Sequence, residues 1–269
     1  MSGEKYALLD TDFVSKTHLI RKDESNRLID IIMNMQGYQF FCHEQIKIEI
    51  KRHNIGDSFE WLNNMISSER IKCVTDEDIL NKLYTVYFDA APKMYADMLK
   101  SGCEAYKSGY FEEYFKRVDG IDYLSISKEE FLEKLREDCD DIGSGNNLGE
   151  LKSYILLQTL TVFSGGKVYV FCSDDKKARN GIVSLGSAKC VSVLSVFYKL
   201  YKNGMLEFDS AKPYIKSYLN LCASHKQTNF KVYDSTKETR LCAVPCEQVL
   251  KGIYEEKFVS LQNGCLKYK

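Results

Sequence analysis

The stretch that decides the fold is Asn146–Arg179, NNLGELKSYILLQTLTVFSGGKVYVFCSDDKKAR. Its first half predicts a helix whose apolar residues, within Leu151–Leu160, lie around most of the circumference, so we expect cover on several sides. After a two-glycine break, Lys167–Cys172 is a short, β-rich apolar run, typical of a parallel strand covered on both faces. Asp174 and Asp175 follow that strand, and open α/β sheets bind ligands at the carboxyl ends of their strands. The stretch therefore predicts an α/β protein with an acidic site at one edge of a parallel sheet.

Other acidic residues fall at comparable places along the chain. Asp10 ends a predicted first strand, Glu49 lies on the helix after a second strand at Tyr38–Cys42, and Glu150 opens the central helix. Carboxylates that converge without basic partners repel one another unless a cation neutralises them. Several oxygen ligands favour Mg²⁺ or Mn²⁺, which can activate water and bridge a phosphodiester. The predicted set of catalytic and metal-binding residues is Asp10, Glu49, Glu150, Asp174 and Asp175.

Four short motifs resemble, in chain order, those of PIN-domain nucleases. Leu8–Asp12 (LLDTD) resembles the opening LLDTN motif, with aspartate at the last position in place of the commoner asparagine. His43–Ile50 is similar to the second motif, which places an aliphatic residue before a glutamate. Leu148–Ser153 resembles the GE motif of one PIN branch, and Ser173–Arg179 matches the DD..AR closing motif of that branch. The resemblance covers residues 5–55 and about 145–195, and neither 57–141 nor the last forty residues.

The resemblance implies a metal-dependent endonuclease, usually acting on RNA, with a three-layer α/β/α core around a parallel sheet. It implies that the five carboxylates hold one or two metals, and that Thr11 and Ser173 orient them from behind. It also implies phosphate contacts from Lys176, Lys177 and Arg179. The partner would be single-stranded or structured RNA. An antitoxin or another protein partner is an expectation by family analogy alone, and a homodimer is left open.

The chain divides, by sequence, into a PIN-like domain at 1–205 with a helical insertion at about 57–141, and a C-terminal part at 206–269. The C-terminal part predicts a helix and then a small α+β extension. Asp76–Asp141 holds 17 acidic and 9 basic residues, whereas the remainder has a net charge of +7. A basic body suits an anionic ligand, although two solvated faces of opposite sign would give the same count.

The cysteine pattern predicts the compartment. The ten cysteines are scattered, with no CxxC pair and no cluster with histidine at zinc spacing. There is no signal peptide and no apolar run long enough to span a membrane. We therefore expect a reduced, soluble, cytoplasmic protein in which most cysteines are small core hydrophobes.

Each predicted site residue also has a structural interpretation. Glu49 could be a solvated helix residue, Glu150 could complete a helix cap, and Asp174 or Asp175 could cap the helix that follows. Two other functions compete with the nuclease. Asp10 to Asp12 also resembles the nucleophile motif of haloacid-dehalogenase-type phosphatases, but the Gly-Thr pair expected next is missing. A PIN-like module that binds nucleic acid or protein without cutting is the second, although binding alone needs no carboxylate cluster that repels phosphate.

Overall fold

The computed structural model of the chain describes residues 5–106, 122–142, 148–163, 169–184, 188–236 and 240–269. Five strands form one parallel sheet flanked by helices, in the order β3-β2-β1-β4-β5, which makes β1 the central strand. The strands are β1 (Lys5–Leu9), β2 (Tyr38–His43), β3 (Ile71–Val74), β4 (Tyr169–Cys172) and β5 (Ala188–Val191). The predicted α/β class with a three-layer core is confirmed.

Helices connect these strands. In the described residues they are α1 (Thr11–Leu19), α2 (Leu28–Met33), α3 (Glu44–His53), α4 (Ser58–Ser67), α5 (Asp76–Tyr87), α6 (Ala91–Tyr106), α7 (Lys128–Ile142), α8 (Leu148–Phe163), α9 (Lys176–Ser184), α10 (Val193–Lys202), α11 (Phe208–Ser224) and α12 (Cys246–Tyr254). A short 3-10 helix, Phe88–Ala90, joins α5 to α6. The spacing of Thr75 with Asp78 and of Ser127 with Glu130 predicts two helix N-caps. Both are present: Thr75 and Asp78 form a capping box, and the Ser127 hydroxyl donates to the Glu130 carboxylate and accepts from the Glu130 amide.

The C-terminal residues form a second, four-stranded sheet, as the α+β extension predicts. Its strands are β6 (Asn229–Tyr233), β7 (Leu241–Pro245), β8 (Phe258–Ser260) and β9 (Leu266–Tyr268), in the order β7-β6-β9-β8. The β8–β9 pair is antiparallel, and its turn contains Gly264 at a φ of 71°. The sequence predicts this hairpin, since Asn263–Gly264 is an Asn-Gly pair of the kind that favours a tight turn between two strands.

Four details differ from the sequence prediction. Thr11–Leu19 is a helix where none was expected. The spacing of Leu28, Ile29, Ile32 and Met33 predicts an amphipathic helix between Asp23 and Met35, but the helix spans Leu28–Met33. It begins only at Leu28 because the Asp23 carboxylate accepts hydrogen bonds from the amides of residues 25 and 26 and forms a turn. Ile71–Val74, inside the predicted insertion, pairs with β2 as an edge strand of the main sheet. The loop that the sequence predicts at residues 140–147 begins later, because α7 extends to Ile142. Residues 143–147 of that loop and the two-glycine break at 165–166 lie outside the described residues.

The chain forms two compact units that alternate along the sequence. Among the described residues, the first contains residues 5–10 and Gln39–Tyr169, and the second contains Thr11–Tyr38 and Val170–Lys269. The predicted boundary at residue 205 separates a sequence motif region from its extension, and it stays a prediction. None of the described helices is both long and apolar enough to cross a bilayer.

Helix α8 is buried around its circumference, as its sequence predicts. Leu151, Ile155 and Leu157 are each 0% exposed. Its neighbour in the first unit is α6, where the rings of Tyr106 and Tyr154 meet edge to face at 6.3 Å. The first turn of α8 is thereby held in a fixed position by the core of this unit, and that turn carries Glu150.

Candidate functional site

Asp10 follows the central strand directly and is 4% exposed. The three residues before it, Ala7 to Leu9, are at most 2% exposed, so the strand is anchored in the core. A carboxylate this buried is costly unless charged or hydrogen-bonding groups compensate it. Its position at the carboxyl end of β1 is the one that the sequence predicts for a ligand.

Glu49 and the start of α8 meet in the first unit, where α3 packs against α8. A Cβ atom added to Gly149 would lie 2.7 Å from Glu49 Oε2 and 2.8 Å from Oε1, closer than real Cβ atoms come. The Glu49 carboxylate therefore lies directly over the Cα atom of Gly149, the residue before Glu150. Gln45, one turn earlier on α3, donates a 3.3 Å hydrogen bond to Glu49 Oε1. Position 149 needs glycine for Glu49 to keep this place.

Asp174, in the second unit, has a protein donor on each carboxylate oxygen. Oδ2 accepts a 2.7 Å hydrogen bond from the Lys16 ammonium on α1, and Oδ1 accepts a 3.1 Å bond from the Val193 amide. Burial alone would lower the pKa of Lys16, but the Asp174 carboxylate outweighs it and the pKa of Lys16 is raised. Buried Tyr218 also has its pKa raised well above the ordinary value, by burial first and then by the Asp174 charge.

Asp175 lies at the start of α9 and accepts backbone bonds there. Its Oδ1 faces the amides of Lys177 and Ala178, at 2.5 and 3.3 Å, which is the geometry of an N-terminal helix cap. The Ser173 hydroxyl accepts a 3.2 Å bond from the Asp175 amide. The Ser173 hydroxyl thus holds the backbone of the predicted ligand Asp175. One carboxylate oxygen of Asp175 caps the N-terminus of α9.

Arg179 is 5% exposed and binds two carbonyl groups. Its Nη1 donates to the carbonyl of Ser173 at 2.8 Å, and its Nε donates to the carbonyl of Asn263 at 2.8 Å. The guanidinium therefore ties the end of β4 to the β8–β9 turn. This geometry favours a positioning role, and a phosphate contact by Arg179 stays a prediction.

Lys176 and Lys177 are the more accessible basic residues of the closing motif. Lys177 is exposed, and the Lys176 ammonium lies 5.8 Å from the centre of the Tyr233 ring on β6. A cation beside an aromatic ring next to two carboxylates suits a single-stranded nucleic acid, which offers both phosphates and bases.

The chain matches no family model, no curated protein and no solved structure. The likeness to PIN-domain nucleases therefore rests on the four motifs, and it stays a prediction.

The first unit also contains a charged network that no sequence motif indicates. Asp76, the first residue of α5, accepts hydrogen bonds from Lys152 (2.8 Å), from His43 Nε2 (3.1 Å) and from the Tyr95 hydroxyl. Lys152 also donates to the Tyr95 hydroxyl at 3.0 Å, and it is 1% exposed. His43 Nδ1 accepts a hydrogen bond from the backbone amide of Gln45. Because Nδ1 is the acceptor, Nε2 is the ring nitrogen that donates to Asp76. The available signal was the lysine itself, a charge within the apolar face of α8 that demands a buried anion.

The charges of this network support one another. Burial alone would raise the pKa of Asp76, but the charge of Lys152 and the contact with His43 hold it well below its ordinary value. Burial alone would likewise lower the pKa of Lys152, but Asp76 outweighs that effect and the pKa is raised. Both groups are therefore charged over the physiological pH range, as a buried pair must be to offset desolvation.

A cavity of about 590 Å³ adjoins this network, lined by residues of α3, α5, α7 and α8. His43, Glu44 and Asp76 each offer a ligand atom there, and the three atoms lie within 4.8 Å of one another. A cation bound to Asp76 would have to displace the Lys152 ammonium, which already neutralises that carboxylate. The network is accordingly better explained as a structural support for the start of α3 and α5 than as a metal centre.

Proposed function

We propose that the chain is a metal-dependent endonuclease that hydrolyses phosphodiester bonds of RNA with Mg²⁺ or Mn²⁺. The observation that carries the proposal is the contact of the Glu49 carboxylate with Gly149. It joins two motifs that are distant in the sequence, and it requires glycine next to Glu150. A glycine whose missing side chain makes room for a carboxylate is what a packed acidic site needs, whereas a solvated Glu49 would place no demand on position 149.

The predicted ligands are of the type that a hard divalent cation binds. Carboxylate oxygens are the ligands that Mg²⁺ and Mn²⁺ prefer, and Asp10, Glu49 and Glu150 would offer them in the first unit. Asp174 and Asp175 are the predicted ligands that lie in the second unit. A divalent ion would contribute Lewis-acid chemistry, namely water activation and neutralisation of phosphate charge.

The other residues bind and orient. Gln45 holds one oxygen of Glu49, and Ser173 holds the backbone of Asp175. Lys176 and Lys177 contact the phosphates of the substrate strand, which makes binding weaker as salt increases. The proposed compartment is the cytoplasm, and it is supported by all ten cysteines being free thiols.

The test is cleavage of a labelled single-stranded RNA with Mn²⁺, with Mg²⁺ and with EDTA. We expect metal-dependent cutting by the wild type, and a loss of at least about 100-fold in Asp10→Asn, Glu49→Gln and Glu150→Gln, as for removal of a charge stabiliser in other enzymes. Glu60→Gln, an exposed acid on α4, is the matched control and should cut normally. Thermal unfolding of each variant separates loss of chemistry from loss of fold.

Each alternative function has its own outcome in this experiment. Hydrolysis of a small phosphate ester without cutting of RNA or DNA would indicate the phosphatase. Tight nucleic-acid binding with no hydrolysis in any metal would indicate a binding module. Metal-dependent cutting that survives in Asp10→Asn would contradict the proposed site.

A further inference from the structure

Two cysteines of the first unit face each other across neighbouring strands. In the parallel pairing of β2 with β3, Cys42 is the register partner of Cys73. Both are free thiols, and a hydrogen bond joins their side chains. Register partners on neighbouring strands point to the same face of the sheet, so the two side chains are neighbours there.

The backbone positions suit a disulfide bond. Neighbouring strands lie about 4.8 Å apart, and disulfides join Cα atoms that are usually 4.4–6.8 Å apart. A bond between Cys42 and Cys73 would therefore join two Cα atoms whose strand spacing lies within the range of disulfides.

The two thiols differ in access and in acidity. Cys42 is 0% exposed, whereas Cys73 is only partly buried, on the edge strand of the sheet. The hydrogen bond from Cys42 lowers the pKa of Cys73 and outweighs the opposing effect of burial. The same hydrogen bond and burial raise the pKa of Cys42. Cys73 is therefore the thiol that forms a thiolate and meets a reagent from solvent first.

We propose that Cys42 and Cys73 form a dithiol modification site that hydrogen peroxide converts to a disulfide. The Cys73 thiolate attacks one peroxide oxygen, the O–O bond breaks, and the second oxygen leaves as water after taking up a proton. The sulfur of Cys42 then attacks the sulfenic acid on Cys73, the S–O bond breaks, and the hydroxyl leaves with the Cys42 proton as a second water. Two thiols and one peroxide give one disulfide and two waters.

The disulfide would lie beside the buried charged network. Cys42 immediately precedes His43, which caps α3, and Cys73 lies three residues before Asp76. Oxidation would therefore fix the two strand ends that hold the 3.1 Å contact between His43 and Asp76. This inference does not depend on the proposed nuclease activity.

The second unit contains a natural control pair. Cys222 on α11 and Cys246 on α12 also share a hydrogen bond between thiols. They are 3% and 5% exposed, burial raises the pKa of Cys222 to about 12, and burial raises that of Cys246 too. Contact without thiolate character or access should leave this pair reduced while Cys42 and Cys73 react.

The experiment treats the full chain with hydrogen peroxide, blocks the remaining thiols with N-ethylmaleimide, and digests with trypsin without reduction. Cleavage after lysine and arginine releases residues 28–47 with Cys42 and residues 73–82 with Cys73, each with a single cysteine. We expect these two peptides as a linked pair, two hydrogen atoms lighter than their sum, and sensitive to dithiothreitol. The pair should appear before any link between residues 217–226 and 241–251.

Variants make the assignment specific. Cys73→Ser should abolish the linked pair and leave Cys42 reduced, while Cys246→Ser should form the link at the wild-type rate. The inference is overturned if wild-type Cys73 accumulates sulfinic acid with Cys42 still reduced. It is equally overturned if the Cys222–Cys246 link forms at least as fast. Both outcomes are read from the wild type, so they hold even if a variant folds poorly.

Discussion

Replacing Gly149 with alanine tests whether the Glu49 carboxylate is placed for chemistry. The added methyl carbon would lie 2.7 Å from Oε2, and ordinary contacts begin at 3.4 Å, so the carboxylate has to move by about 0.7 Å. The far end of a glutamate can move at little energetic cost, and alanine gains up to about 1 kcal/mol over glycine in a helix. Stability should therefore change by about 0 to +1 kcal/mol.

Activity should respond in the opposite direction. Reactive groups need placement to within about 0.5 Å, and a misplacement of about 1 Å costs on the order of 100-fold in rate. We expect RNA cleavage by Gly149→Ala to fall about 10- to 100-fold while the melting temperature is kept. Initial rates with Mn²⁺ and thermal unfolding, measured on the same preparation, give both quantities.

The control is Gly102→Ala on α6, where the added methyl group would meet side-chain carbons of Tyr154 and Leu151 at 3.1 and 3.2 Å. That contact is in the core and touches no predicted ligand, so cleavage should stay at the wild-type level. Glu49→Asp shortens the side chain and removes its carboxylate from the contact with Gly149. The double variant with Gly149→Ala should then cleave RNA as fast as Glu49→Asp alone, because the effects of residues in contact are non-additive. Full cleavage by Gly149→Ala would refute the reasoning, and so would a loss of more than about 2 kcal/mol of stability.

Three further predictions concern the charged groups and the backbone. Asp76→Asn should lower the free energy of unfolding by about 3–5 kcal/mol in urea titrations, because it leaves the buried Lys152 ammonium without its partner charge. Lys152→Met should cost less, because Asp76 is 18% exposed and keeps its bonds from His43 and Tyr95. The folded pKa of Asp76 lies below its ordinary 3.8, so its contribution to stability is complete above about pH 5 and declines as the pH falls. In Asp76→Asn the free energy of unfolding should therefore fall less steeply between about pH 5 and 2 than in the wild type. An equally steep fall would contradict this. Lys16→Met should raise Mn²⁺ affinity, measured by calorimetry, because it frees the Asp174 carboxylate. The stability cost should be about 0.5–1 kcal/mol, because the lysine is 35% exposed. Weaker Mn²⁺ binding would show that Lys16 assists the metal. Phe88 has φ 48° and ψ −133°, and it is 72% exposed. Phe88→Gly should therefore raise the melting temperature by relieving backbone strain of about 1–3 kcal/mol. A lower melting temperature would mean that the Phe88 ring is needed for stability.

The central parts of the fold were predictable because periodicity and strand-end carboxylates are local signals. Helix α1 was not, since Thr11–Leu19 is rich in residues of low helix propensity. Burial decides its structure instead, as Phe13 and Val14 are 0% exposed. Propensity could not show this, because the partners of these side chains are set by the tertiary fold.

Some features of the candidate site were likewise predictable from the local sequence, and others were not. The motifs placed Asp10 and Glu150 at a strand end and a helix start, where the structure has them. The contact of Glu49 with Gly149, the capping bonds of Asp175 and the carbonyl contacts of Arg179 required three dimensions. Such contacts join segments with no sequence relation, so no spacing rule reports them.

The alternation of the two units has a consequence for synthesis of the chain. The first unit is complete once Tyr169 has left the ribosome, but the second needs Thr11–Tyr38 together with Val170–Lys269. At about 5–20 residues per second, the last hundred residues take about 5–20 s to emerge. During that time apolar side chains such as Phe13 and Ile29 lack the packing partners that residues 170–269 provide. Chaperones that bind nascent chains therefore have a defined target in Thr11–Tyr38.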